Sequence, residues 1–91
     1  MSNLVLTDSR VVKRGESVEE TIKQLMADIL DLDPKAIDHT TRADGVDGWD
    51  SFNHLNLCLA IEQALGVQLE VQEMETMLSF PAIMAVVRSK E

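Results

Sequence analysis

The side chains with chemical potential gather between positions 39 and 58. The centre of the group is Asp50-Ser51, within Gly48-Trp49-Asp50-Ser51-Phe52, where an irregular stretch gives way to an amphipathic one. Aspartate and serine are the preferred residues for capping a helix, and either could serve here as an ordinary cap. A helix start also presents unpaired N–H groups and a partial positive charge, which favour an anion. A serine at the first position can therefore carry a phosphate covalently. The local pattern leaves both uses open, with the cap the commoner. His54 and Cys58 follow on the same stretch. A buried helical cysteine is usually inert. A lone histidine without an activated nucleophile nearby is more often a structural contact than a base. His39 sits in the irregular stretch without a partner motif. Asp44, Asp47 and Asp50 lie three apart around two glycines, but they do not match the twelve-residue calcium loop, so no dedicated metal site is expected.

These residues need elements to place them, and the hydrophobic periodicity supplies helices. Ser17-Val18-Glu19-Glu20 fits a capping box. Val18, Ile22, Leu25, Met26, Ile29 and Leu32 then recur at helical spacing, predicting a first helix over about 18–32. Asp33-Pro34 would end it, because proline disfavours helix in the residue before it. Residues 33–50, with glycines and turn-forming residues, read as a long loop without regular structure. Ile37, Val46 and Trp49 are expected to pin that loop to the core. A second helix is predicted over 51–65, stopping at Gly66. It carries two apolar arcs: Leu57, Cys58, Ile61, Ala64 and Leu65 on one, Phe52, Leu55 and Leu59 on the other, with Asn56 and Glu62 at its borders. One buried stripe is enough for a small domain. The second arc is either a second packed side or a surface for another contact. A short helix over about 71–77 should turn Val71, Met74, Met77 and Leu78 inward. Ser79 can cap a last helix with Pro81 in its first turn and Ile83, Val86 and Val87 on its apolar side.

The expected fold class is all-α: three main helices plus one short helix, with a long loop after the first. Length suits one domain over 16–91, preceded by a basic extension over 1–15 that carries Arg10, Lys13 and Arg14. Only 3% of residues are aromatic, so aliphatic side chains and methionine must build the core. A formal net charge of −8 disfavours nucleic acid and anionic lipid and suits partners with basic surfaces. One cysteine excludes an internal disulfide. No apolar run has the length of a signal peptide core or a membrane span, so a cytoplasmic monomer is expected.

The stretch 48–69, GWDSFNHLNLCLAIEQALGVQL, resembles the attachment region and second helix of the acyl carrier protein family. Asp50-Ser51 matches the family's Asp-Ser-Leu signature, Ala60-Ile61-Glu62 the helix middle, and Leu65-Gly66-Val67 its end. Helix order and the long first loop extend the likeness over about 17–90. It implies an acyl-carrier-like four-helix bundle with no catalysis of its own. Ser51 would be esterified by a phosphopantetheinyl transferase using coenzyme A, with Asp50 helping to present it. The thiol of the 4'-phosphopantetheine arm would hold an acyl group as a thioester. Phe52, Leu55, Asn56, Leu59 and Glu62 match positions that meet partner enzymes: the transferase, an acyl- or aminoacyl-loading ligase, and a downstream synthase or acyltransferase. That set coincides with the second apolar arc. Three features depart from the pattern. Phe52 replaces the usual leucine; Asn53, Asn56 and Gln63 stand where typical fatty-acid carriers are acidic; and the extension over 1–15 lies outside the likeness. They imply a specialised carrier serving a dedicated lipid, polyketide or related pathway. The alternatives are an aminoacyl or peptidyl carrier, an unmodified helical interaction module and, more distantly, a small hydrolase using Ser51, His54 and Asp50.

Overall fold

The computed structural model describes residues 17–90, and the extension expected over 1–15 lies outside them. Four helices and two short 3-10 turns make up its regular structure, with no strand among the described residues. Helix α1 spans Val18–Leu30. Ser17 Oγ accepts from the Glu20 N–H at 3.0 Å, the serine half of the expected capping box. Ile22, Met26, Ala27 and Leu30 form its buried stripe. The helix stops two residues short of its expected end. Asp31 takes the left-handed conformation (φ 59°) and its N–H bonds to the Ala27 carbonyl. Leu32 then donates to the same carbonyl at 3.1 Å. Aspartate is among the few residues with a side chain that enter this region readily, so the stop needs no glycine.

The segment from 33 to 50 is more regular than its composition suggests. Asp33 accepts from the Lys35 N–H at 2.9 Å and opens a 3-10 turn over Pro34–Ala36. Asp38 accepts from the Thr40 N–H and hydroxyl at 2.8 and 2.6 Å, and these bonds hold its carboxyl below the usual value. A second 3-10 turn covers Ala43–Gly45. Ile37 and Trp49 are buried and Val46 is half-buried, which are the anchors the sequence predicted. The loop is also paired to a distant segment. Ala43 donates to the Leu78 carbonyl and Phe80 to the Thr41 carbonyl, both at 2.9 Å, forming an isolated antiparallel bridge between Arg42 and Ser79.

Helix α2, Ser51–Leu65, has the bounds predicted for it and ends at Gly66 with φ 68°. That left-handed turn is what a glycine accepts without a Cβ penalty. Helix α3 is short, Val71–Thr76, and Glu73 reaches back to the Glu70 N–H at 2.9 Å. Helix α4 covers Phe80–Ser89, with Ser79 Oγ accepting from the Ala82 N–H at 3.2 Å and proline in the first turn. Lys90 closes it onto α3 through Glu73, at 2.7 Å.

The core is made of Ile22, Met26, Leu30, Leu57, Ile61, Met77, Ile83 and Val87, with Trp49 and Phe80 at its margins. No polar side chain is buried among the described residues. Two inward assignments fail: Val71 is 68% exposed and Leu78 is 48% exposed. Met77 and half-buried Met74 alone serve the core from that region. Conversely, Phe80 and Met84 join Ile83 and Val87 inside, two core residues that the pattern of α4 did not single out. No helix among the described residues is long and apolar enough to cross a membrane.

Candidate functional site

The start of α2 resolves the ambiguity between cap and exposed hydroxyl. Asp50, in extended backbone, is the N-cap: its Oδ1 accepts from the Asn53 N–H at 2.8 Å. Ser51 is the first helical residue and is exposed. Its hydroxyl is thus released from capping duty, on a turn where backbone N–H groups and the helix dipole favour an anion. Gly48 brings this turn close to α1. A Cβ at Gly48 would stand 3.3 Å from the Leu30 carbonyl oxygen, so the approach suits a residue without one. Asn53 locks the turn from the helix side, its Nδ2 donating to the Gly48 carbonyl at 2.8 Å. That bond needs an amide, because a carboxylate has no hydrogen to give.

The two arcs of α2 have different fates. Leu57, Cys58 and Ile61 are buried, whereas Ala64 and Leu65 are half-buried. Phe52 is 72% exposed, Leu55 50% and Leu59 44%, so the second arc is a surface and the reading of a helix packed on two sides fails. Asn56 is half-buried at its edge. Glu62 is half-buried as well, and its Oε2 accepts from the Leu69 N–H at 2.8 Å, which fastens the chain after α2 back onto the helix.

His54 is the structural contact that the sequence favoured over a base, held by partners the sequence did not name. Trp49 Nε1–H donates to Nδ1 at 3.0 Å, and Nε2 lies 2.7 Å from the Met74 carbonyl oxygen. The partners are five and twenty residues away, beyond the range of any local motif. Cys58 Sγ is 3.8 Å from Nε2. Burial, and then the charge of Glu62, push the Cys58 thiol up to about 11, so it stays protonated and unreactive. Ser51, His54 and Asp50 are not joined by hydrogen bonds into a relay. His54 is engaged with Trp49 and Met74, and Asp50 with Asn53. Asp44, Asp47 and Asp50 do not assemble into a metal-holding group, and none of three or more His, Cys, Asp or Glu exists among the described residues. Comparison with known proteins finds no family model, no curated protein and no solved structure that matches the chain.

Proposed function

We propose that the chain is an acyl carrier, with Ser51 as the attachment point of a 4'-phosphopantetheine arm and the exposed arc of α2 as the docking surface for its enzymes. The observation that carries this reading is the division of labour at the helix start. Asp50 takes the cap, and the Ser51 hydroxyl is left exposed beside the unpartnered apolar side chain of Phe52. The residues present fit such a group. A phosphodiester has one negative charge, which the N-terminal amides and dipole of α2 favour. When bound, the arm supplies the thiol that holds cargo as a thioester.

The chain's own residues do the positioning. Asp50, Asn53 and Gly48 hold the turn in one geometry, so that a transferase meets the hydroxyl in a fixed orientation. Phe52, Leu55 and Leu59 offer an apolar ridge bordered by Asn56 and Glu62. The carboxylate of Glu62 already has an internal partner, and any docking contact adds to that duty. Glu62 is the one Asp, Glu, Lys or Arg residue of α2, so recognition rests on apolar shape more than on charge. A dedicated lipid, polyketide or related pathway suits such a surface. Partners would be a phosphopantetheinyl transferase, a loading ligase and a downstream synthase or acyltransferase.

The test is intact mass after incubation with coenzyme A and a broad-specificity transferase. Gain of one phosphopantetheine mass by the wild type and none by Ser51→Ala supports the reading. No gain, or a gain that survives the substitution, overturns it. The exposed arc also favours a second reading, an unmodified helical adaptor. That protein would bind its partner equally well as Ser51→Ala and without coenzyme A. An aminoacyl or peptidyl carrier would share the arm and differ in cargo, which loading by adenylating ligases distinguishes.

A further inference from the structure

The hydrogen bonds of His54 define its protonation form. A carbonyl oxygen only accepts, so Nε2 carries the hydrogen that meets Met74. An indole N–H only donates, so Nδ1 offers its lone pair to Trp49. The imidazole is therefore held as one neutral tautomer. The two rings also stack, with centroids 6.2 Å apart and planes 29° from parallel. Three parts of the fold meet on this ring: the end of the long loop, the first turns of α2, and α3.

We propose that His54 is a proton-operated clasp: neutral, it fastens the Trp49 turn and α3 to α2, and proton uptake at Nδ1 releases the Trp49 side. An imidazolium carries N–H on both nitrogens, so Nδ1 would confront the indole N–H donor to donor. The step consumes one solvent proton and breaks no covalent bond. The contact to Met74 survives and becomes charge-assisted, so the Trp49 side opens while α3 stays attached. Trp49 is only 6% exposed, and an indole N–H left without an acceptor there is unfavourable.

No group other than the Trp49 indole is hydrogen-bonded to Nδ1 among the described residues. On α2, Cys58 lies by Nε2 and is uncharged. At the loop end, Asp50 is engaged with the Asn53 N–H. On α3, Glu73 and Glu75 flank Met74, and Glu73 is engaged with the Glu70 N–H and with Lys90 beyond α4. Released, Trp49 loses its side-chain bond to α2, the Gly48-Trp49-Asp50 turn is left to the Asp50 and Asn53 bonds, and the presentation of Ser51 becomes dependent on pH. The clasp stands whether or not Ser51 carries an arm.

Trp49 is the only tryptophan, so its indole N–H resonance reports the clasp directly. As pH falls, that resonance should shift together with the His54 ring carbons, at one shared midpoint. Its exchange with water should quicken roughly tenfold, the scale of one lost hydrogen bond. Helix content by circular dichroism should not change. His54→Lys carries donors only, so it can meet the Met74 carbonyl but offers Trp49 no acceptor, and should hold the indole in the released state at every pH. His39→Asn should leave the titration as in the wild type. An indole resonance that ignores His54 titration overturns the clasp, as does one that moves only when helix content falls. If His54→Lys does not fold, the wild-type titration decides alone.

Discussion

The same substitution at neighbouring positions of α2 separates its buried arc from its exposed one. Leu57 has no exposed surface, and Leu→Ala at such a site costs about 2.7–5 kcal/mol, because the lost transfer free energy is joined by a cavity that closes only in part. Leu55 lies two residues away and is 50% exposed. Burying a whole leucine side chain is worth about 1.5–3 kcal/mol, so half of it amounts to about 1 kcal/mol, and an open surface leaves no cavity. Leu59, at 44%, falls in the same class. In a domain of this size each kcal/mol moves Tm by about 4–8 °C, so Leu57→Ala should lose more than about 10 °C and the other two only a few degrees. The assay is urea unfolding followed by Trp49 fluorescence and far-ultraviolet circular dichroism, with m-values checked for constancy. If Leu55→Ala or Leu59→Ala costs as much as Leu57→Ala, the second arc is not a free surface and the docking argument loses its ground.

Asn53→Asp should destabilise by about 1 kcal/mol in thermal unfolding, since losing the amide bond to Gly48 costs about 1–3 kcal/mol while an acidic residue in the first helical turn returns about 0.3–1 kcal/mol. Gly66→Ala should cost about 1–2 kcal/mol by urea unfolding through the positive φ alone, because an added Cβ there meets nothing within 4 Å. The Glu70 N–H, and then Lys90, hold the Glu73 carboxyl below its ordinary value of 4.5, so its contribution is present above that pH and is lost as pH falls through the lower, folded value. Glu73→Gln should accordingly flatten that part of a plot of urea midpoint against pH. Cys58, with its thiol raised to about 11, should resist iodoacetamide in the folded protein and react once urea unfolds it, as read by intact mass.

Much of the framework was legible because its causes are local. Ser17 and Glu20 announce α1, and Gly66 announces the end of α2 through the one conformation it tolerates best. The two arcs of α2 follow from spacing over fifteen residues, long enough for the period to declare itself. Helix α3 has six residues, too few for a period, and its orientation is set by bonds from elsewhere, such as that of His54 to the Met74 carbonyl. Val71 and Leu78 were misplaced for that reason. The early stop of α1 was hidden because Asp31 in a left-handed conformation leaves no mark as plain as a glycine. At the site, Asp50-Ser51 could be found by type, but which of the two caps the helix depends on backbone angles. The duty of Asn53, which looks like a neutral replacement along the chain, shows only once the Gly48 carbonyl stands beside it.

The short bridge between Arg42 and Ser79 has a topological consequence. The paired bonds from Ala43 to Leu78 and from Phe80 to Thr41 bring the two ends of one long excursion within hydrogen-bonding distance. The backbone between them, including Ser51, the apolar ridge and α3, departs and returns at one seam, while the inner face of α2 stays packed in the core. A segment with adjoining ends behaves as a cassette. Its surface residues can be exchanged as a block while α1 and α4 keep the seam and the inner face of α2 in register. New partner preferences can then be grafted onto this chain by exchanging the exposed residues between positions 44 and 77, with Trp49, Leu57, Cys58, Ile61, Leu69 and Met77 kept.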